Sequence, residues 1–280
     1  MGNIIFIVWR ESIEAMLVIG ILYAWLSSRE QARTGLHFLW GGVAAGLALA
    51  GLLAVVMLKV QSELAGEAMD YFQIGMMLLA SALITQMVFW MRHHGRTLKR
   101  ELESGMERAL TRANWWGMSL LAAIAVGREG AETVIFLYGM GMAEGGGSFY
   151  GGAALGFAAA LFSFWLLSRG SRFFSWRVFF RFSEVVLLLL ASALLVDGVD
   201  RMVGMGWLPP LLDPVWDSSA LLDDSTRIGG LIAALSGYRS QPALLVLLVY
   251  LVYWALVFFL MRRSSRRLPK TTAVAVAEAG

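Results

Sequence analysis

The chain has 280 residues, of which 58% are hydrophobic and 15% are charged, and its formal net charge at pH 7 is +3. A composition this apolar is typical of proteins embedded in lipid, and it argues against a soluble, nucleic-acid-binding protein in spite of the basic balance. There is no cysteine, which excludes disulfides and thiolate metal ligands. We therefore predict an all-α, polytopic membrane protein in which oxygen or imidazole groups would hold any metal.

Seven apolar segments of about 20 residues follow one another along the chain. This is the length that a helix needs to cross a hydrocarbon core of about 30 Å. The predicted spans are 3–27, 37–58, 71–91, 115–142, 149–168, 181–203 and 242–261. No soluble domain fits between them.

The connections between these spans alternate in charge. Those after the first, third and fifth spans, and the tail, are rich in arginine or lysine, whereas the second and sixth are mainly acidic. Because basic residues collect in cytoplasmic loops, we predict an N-terminus outside the cytoplasm and a C-terminus inside. The sixth connection, 204–241, is then an extracytoplasmic acidic loop, and 262–280 is a basic, disordered cytoplasmic tail.

The second half of the chain repeats features of the first half. The segment WGGVAAG at 40–46 is matched by YGGAALG at 150–156, and LLASALI at 78–84 is matched by LLASALL at 189–195. A repeat of three spans places the second unit upside down relative to the first, which is a transporter architecture. We predict two inverted three-helix repeats followed by a seventh transmembrane helix. The repeats are 1–91 and 115–203, joined by a basic cytoplasmic loop at 92–114, and the seventh helix is 242–261.

A charged R-E-x-x-E cluster lies inside two of the apolar spans, at 10–14 and again at 128–132. A charge at the centre of a bilayer costs roughly 2.5 kcal/mol or more, so such residues need partners or a ligand. Glutamates three residues apart share one face of a helix, and the two pairs together would form an oxygen cage suited to a hard cation. The predicted metal ligands are Glu11, Glu14, Glu129 and Glu132.

The arginine of each cluster is predicted to support this site. Arg10 and Arg128 lie one and four residues from the glutamates of their own helix, so each can form ion pairs that offset the repulsion between carboxylates. The alternative is that both clusters are structural ion pairs that lock two helices together.

Three further polar residues are candidates for the transport path. The repeat alignment pairs Gln73 with Glu184, and Asp70 lies near the outer end of the third span. For Glu184 two alternatives to a place on the path stay open: an exposed position at the inner interface, or an ion pair with Arg181.

Several ionisable residues near the ends of the spans are better explained by solvation than by a place on the transport path. Asp197 and Asp200 are expected to pair with Arg201 near the outer end of the sixth span. His93 and His94 are predicted to lie on the inner side among basic residues. We expect their substitution to have little effect on transport.

These features resemble the oxidase-dependent high-affinity iron permeases of fungi and bacteria. The resemblance covers nearly the whole chain and rests on the two R-E-x-x-E clusters, the seven-span layout, and the segment WDSSALL at 216–222 followed by Gly237, Tyr238 and Pro242. It implies uptake of ferric iron through the motif glutamates, with no enzymatic activity and no cofactor beyond iron as the substrate. It also implies surrounding membrane lipid, no nucleic acid, and an extracytoplasmic partner protein that oxidises or delivers iron. The short chain looks like the bacterial form, which places it in the inner (plasma) membrane.

Three other functions are alternatives to iron uptake. A proton-coupled transporter or exporter of another divalent metal cation would use the same carboxylates and repeats, so only metal selectivity or direction would distinguish it. An intramembrane hydrolase with paired acids is disfavoured because the site is duplicated and no pairing of a nucleophile with a base is evident. A purely structural role would leave the buried charges unexplained.

Overall fold

A computed structural model of the chain describes residues 2–27, 32–94, 104, 115–139, 147–168 and 176–266, and this part is helical apart from its connections. Its helices are α1 (Gly2–Ser27), α2 (Ala32–Glu63), α3 (Glu67–His94), α4 (Trp115–Gly139), α5 (Gly147–Ser168), α6 (Trp176–Gly204), α7 (Arg227–Ser236) and α8 (Leu244–Arg266). The predicted all-α class is thereby confirmed for the described residues. The predicted disordered tail lies almost entirely outside them.

Several of these helices are suited to a bilayer. By length and composition, four described stretches could cross a membrane, and α5 contains a shorter apolar stretch. The four are Thr34–Glu63, Glu67–Arg92, Arg181–Gly204 and Leu244–Arg263. The first and fourth helices differ from them in carrying the three charged residues of an R-E-x-x-E cluster. The chain is a multi-pass membrane protein, and the count of seven spans stays a prediction.

Large apolar side chains point outward over much of α2, α5 and α8. In water such a surface would be an interaction site or an aggregation hazard, but around a membrane protein it is the surface that contacts lipid. Examples are Leu47, Leu52, Val55, Leu155, Phe162, Val252 and Phe259.

The centre of the bundle is the contact between α3 and α6. Ile84 of α3 and Leu187 of α6 are completely buried in one apolar cluster, which Tyr253 of α8 joins from the side. The Ser81 hydroxyl donates a 2.7 Å hydrogen bond to the Ala191 carbonyl oxygen across the two helices. Helices α3 and α6 therefore form the buried centre of the bundle. Helices α1 and α4, which carry the charged clusters, pack against this centre.

Glycine allows α2 and α4 to approach closely. A Cβ on Gly46 would lie 2.8 Å from the Ala123 carbonyl oxygen and 3.0 Å from the Val126 Cβ. Further along, a Cβ on Gly130 would lie 2.5 Å from the Ala50 Cβ. The contacts advance in the same direction on both helices, so α2 and α4 run parallel.

A matching contact joins α1 and α5. A Cβ on Gly156 would lie 2.6 Å from the Ile5 carbonyl oxygen and 3.0 Å from the Val8 Cβ, and one on Gly20 would approach Phe164 at 3.3 Å. Ile5 and Val8 lie five and two residues before Arg10, the first residue of their cluster. Ala123 and Val126, which face Gly46, lie five and two residues before Arg128. The same packing therefore occurs twice, between α2 and α4 and between α5 and α1.

The close contact of α2 with α4 makes a testable prediction. Replacing Gly46 with alanine should destabilise the protein by about 1–3 kcal/mol, because the added methyl group meets backbone atoms that cannot move aside. The matched control is Gly51→Ala on the same helix, where nothing lies within 4 Å of the new Cβ. It should be neutral, or stabilising by up to about 1 kcal/mol through helix propensity. Thermal unfolding in detergent measures both, and equal midpoints for the two variants would contradict this packing.

The segment between α6 and α8 contains a short helix, α7, in place of the continuous loop expected from its acidic sequence. The Thr226 side chain caps α7 by accepting a 3.1 Å hydrogen bond from the Gly229 backbone N–H. Gly237 ends the helix in a left-handed conformation with φ 74°, and its N–H bonds to the Ala233 carbonyl oxygen. Both capping signals are legible in the sequence.

Candidate metal centre

The two R-E-x-x-E clusters lie near the midpoints of their helices. Glu14 is close to the centre of the 26-residue α1, and Arg128 is close to the centre of the 25-residue α4. Gly130, inside the second cluster, is one of the glycines that let α2 and α4 pack closely. Helices α1 and α4 pack against each other, so the two clusters meet inside the bundle.

The first cluster is held together by a completely buried guanidinium. Arg10 has no exposed surface, and its Nη1 donates a 2.5 Å hydrogen bond to Glu11 Oε1 while its Nη2 lies 2.6 Å from Glu14 Oε1. Its Nε donates a 3.1 Å hydrogen bond to the Ser183 hydroxyl of α6. Two α3 sulfur atoms complete its surroundings, those of Met87 at 3.1 Å and Met91 at 3.6 Å.

The second cluster has the same pairing but a more open arginine. The Arg128 Nε donates a 2.8 Å hydrogen bond to Glu132 Oε1 and lies 3.9 Å from Glu129 Oε1. Its guanidinium carbon stands 4.4 Å above the centre of the Trp90 ring, a cation–π contact. The side chain is 37% exposed. The predicted ion pair of each arginine with its own helix is thus present in both clusters.

Carboxylates from the two helices converge. Glu11, Glu14 and Glu129 each offer an oxygen within 4.8 Å of the others. Oxygens on opposite sides of one hard cation lie up to twice the metal–oxygen distance apart, about 4–5 Å. The group therefore has the spacing of a cation-binding site. Glu132 lies outside the group of three and pairs with the arginine of its own helix.

Buried carboxylate oxygens of the two clusters lack donors. Among the described residues, no hydrogen-bond donor reaches the buried Oε2 of Glu11, Glu129 or Glu132. A buried anionic oxygen without a partner is costly, and a bound cation would compensate it. Four carboxylates against two guanidiniums leave an excess of negative charge when all are ionised.

Comparison with known proteins shows the family of the chain. A sequence model described as the Iron permease FTR1 family matches residues 1–264. The chain belongs to this family. As in the family, its role is that of a permease, and it is not an enzyme.

Two curated relatives of this permease carry the same name. A protein named ferrous iron permease EfeU from Escherichia coli strain CFT073 is 28% identical over 259 residues, which cover 91% of this chain and 94% of the relative. A protein of the same name from Yersinia pestis is 25% identical over 264 residues, which cover 92% and 93%. No solved structure matches the chain.

Glu184, a candidate for the path of this permease, forms an ion pair that the sequence did not indicate. Its partner is Arg92 at the end of α3, and not Arg181. Glu184 follows Ser183 and Arg92 follows Met91, and these preceding residues both contact the buried arginine of the first cluster. The structure therefore brings Glu184 close to the centre but neutralises it.

Gln73 and Asp70 do not join the carboxylates. Gln73 accepts a hydrogen bond from Arg201 of α6, and Asp70 lies one turn earlier in α3. At 1.5 Å per residue, about 20–25 Å of helix separates them from Met87 beside the first cluster. They lie instead near the opposite end of the contact between α3 and α6.

The partner expected for Asp197 and Asp200 was wrong. Both lie beside Arg239, at 2.8 Å and 3.4 Å, and Arg239 is also 3.9 Å from Asp224. Sequence reasoning favoured Arg201 because it is adjacent in the chain. The fold brings in Arg239 because α7 returns the chain to the end of α6. The side chains of the histidine pair at 93–94 lie outside the described residues, so the expectation for them stays a prediction.

Proposed function

We propose that this permease imports iron through a site formed by the four glutamates of its two R-E-x-x-E clusters. The observation that carries the proposal is the convergence of Glu11, Glu14 and Glu129, whose oxygens lie within 4.8 Å of one another at the middle of two helices. Glu132 would be the fourth ligand, released from Arg128 when iron binds. Oxygen donors suit hard cations, and the absence of cysteine removes the usual soft alternative.

The architecture we infer is a pair of inverted three-helix repeats, α1–α3 and α4–α6, with α8 added outside them. Its support is the contact pattern. The second helix of each unit packs in parallel on the first helix of the other, with glycines at equivalent positions. Helices α3 and α6 run antiparallel, because Gln73 meets Arg201 at one end and Arg92 meets Glu184 at the other. An exchange between two arrangements of such units would give alternating access around a central site.

We assign the permease to the bacterial inner membrane, with its N-terminus outside and its C-terminus in the cytoplasm. The loop between α6 and α8 would then face the partner that oxidises or delivers iron. Ser219 donates side-chain and backbone hydrogen bonds to Asp217 and lowers the pKa of that carboxyl. The Ser225 backbone N–H donates a hydrogen bond to Asp223 and lowers the pKa of that carboxyl. Both stay ionised at neutral pH and would attract cations.

The proposed species at the site is ferric iron, formed after oxidation by a partner. The all-oxygen ligand set supports this choice because it suits the harder of the two iron ions, whereas the named relatives are called ferrous iron permeases. Radioactive iron uptake should be measured in cells that lack their own iron importers, with the partner supplied. A ferric-specific chelator should block uptake, and a ferrous-specific chelator added after oxidation should not.

The same assay decides against the main competitor. Excess manganese, zinc or cobalt should leave iron uptake by the native chain nearly unchanged. Strong competition by one of them, or efflux in place of uptake, would favour a proton-coupled transporter or exporter of another divalent cation. No uptake by the native chain, with its partner present, would overturn the proposed function.

A further inference from the structure

A cavity of about 250 Å³ opens between α3 and α4, beside the carboxylate group. Its lining is Leu83, Gln86, Met87, Trp90, Arg128 and Glu132. The volume is an order of magnitude above the roughly 15 Å³ that one buried water needs, so it can hold a cation with several waters. Trp90 is one turn from the end of α3, so the cavity lies in the half of the bundle where α3 ends and α4 begins.

The lining indicates water and not lipid. Gln86 is exposed, although its neighbours on the same face of α3, Leu79 and Ala82, are apolar. Across the cavity stand Arg128, 37% exposed, and Glu132, 16% exposed. Charged and amide groups in contact with acyl chains are strongly disfavoured, so a cavity that three of them line is best filled by water.

The two arginines differ in how firmly they are held. Arg10 is completely buried and has partners on every nitrogen, including Glu11, Glu14 and Ser183. Arg128 is bonded to Glu132 through its Nε, rests on the Trp90 ring, and is open to the cavity. The first guanidinium has no room to move, whereas the second can rotate into water at small cost.

We propose that this cavity is the water-filled passage through which iron leaves the carboxylate site, and that Arg128 and iron alternate on Glu132. Trp90 is the positioning residue, since its ring holds the guanidinium at the carboxylate. The inference rests on the proposed iron transport and adds the exit side and the group that releases the ion.

The exchange leaves Glu132 with a cationic partner in both states. Iron that binds Glu132 displaces the guanidinium, which turns into the cavity. When Arg128 returns, it takes back the carboxylate and lowers the affinity of the site for the cation, which then leaves past Gln86. Arg10 stays in place through the cycle and prevents the remaining carboxylates from repelling one another.

Cysteine accessibility tests the passage without relying on transport. The chain contains no cysteine, so Gln86→Cys is a single reporter, and Leu79→Cys on the same exposed face is its matched control. A charged, membrane-impermeant methanethiosulfonate should modify Gln86→Cys in inside-out vesicles, and at least tenfold more slowly in right-side-out vesicles. Leu79→Cys should react in neither. An unreactive Gln86→Cys, or one modified from the outside, would overturn the passage.

Uptake kinetics test the role of Trp90. Trp90→Leu removes the ring that holds Arg128, so iron competes better for Glu132 and is released more slowly. We expect the apparent KM for iron and the maximal rate both to fall about 2- to 5-fold. This factor corresponds to the free energy of a partly exposed cation–π contact. Arg128→Gln should shift both further in the same direction, and Trp90→Phe should restore part of each.

The control for losing a membrane tryptophan is Trp116→Leu at the exposed start of α4, which should leave both parameters unchanged. All rates are scaled to membrane abundance. A KM that is unchanged or raised in Trp90→Leu, with uptake by the native chain intact, overturns the alternation on Glu132. Loss of uptake by the native chain would instead defeat the proposed function itself.

Discussion

Replacing either Glu14 or Glu132 with alanine should abolish iron uptake while leaving the amount of protein in the membrane unchanged. These two glutamates come from different helices, and each is bound to the arginine four residues before it, at 2.6 Å and 2.8 Å. Both are partly exposed, at 13% and 16% of the side chain. Each is thus reachable by an ion, and its removal deletes a carboxylate that no nearby residue replaces.

Folding should survive both changes for a reason visible in the contacts. In Glu14→Ala the buried Arg10 keeps Glu11 and Ser183, and in Glu132→Ala the open Arg128 is solvated from the cavity. Glu11→Ala is a poorer test, because Glu11 is only 1% exposed and its loss removes the shortest contact of the buried arginine.

The measurement is radioactive iron uptake at matched abundance, with Glu63→Ala at the exposed end of α2 as the control for losing a glutamate. The control should transport at the native rate. Uptake that persists in either motif variant would remove that glutamate from the site. Loss of the protein from the membrane in both variants would support the alternative that the clusters are structural ion pairs.

The sequence predicts what depends on neighbours along the chain. Glu14 lies four residues after Arg10, and Glu132 four residues after Arg128, so their ion pairs follow from helix geometry alone. The charge of the clusters and their repetition also predict that the two glutamate pairs meet. The all-helical class follows from composition and from the apolar runs.

What the sequence does not predict depends on contacts between distant elements. Nothing near Glu184 in the chain indicates Arg92, because only the antiparallel packing of α3 on α6 brings the two together. The sequence favours Arg201, four residues later, as the partner of Asp197, whereas the return of the chain through α7 brings Arg239 to it. Proximity in sequence is a weak guide wherever a loop returns to the bundle.

The difference between the two arginines is another property of the fold. Both clusters read the same in sequence, yet one guanidinium has no exposed surface and the other is 37% exposed. Arg10 is enclosed by Ser183 of α6 and two methionines of α3, whereas Arg128 rests on Trp90 beside the cavity. None of these neighbours belongs to a recognisable motif. Equal motifs therefore need not have equal roles.

Replacing Arg10 with glutamine should remove most of the folded protein from the membrane. Glu11 and Glu14 would lose their shared counter-charge inside the bundle, and removing one partner of a buried ion pair costs about 3–5 kcal/mol. Many proteins have a total stability of only about 5–15 kcal/mol. Membrane abundance and the thermal midpoint in detergent both report the loss.

Two further variants separate charge from geometry and from position. Arg10→Lys keeps the charge, but a single ammonium cannot reach two carboxylates and the Ser183 hydroxyl as the planar guanidinium does, so stability should recover only in part. Arg128→Gln is the matched control, because its carboxylate partner faces the cavity and can be solvated; it should keep native abundance and alter transport. If Arg10→Gln proved as stable as Arg128→Gln, the first arginine would be no more structural than the second, and the buried geometry would not determine their division of roles.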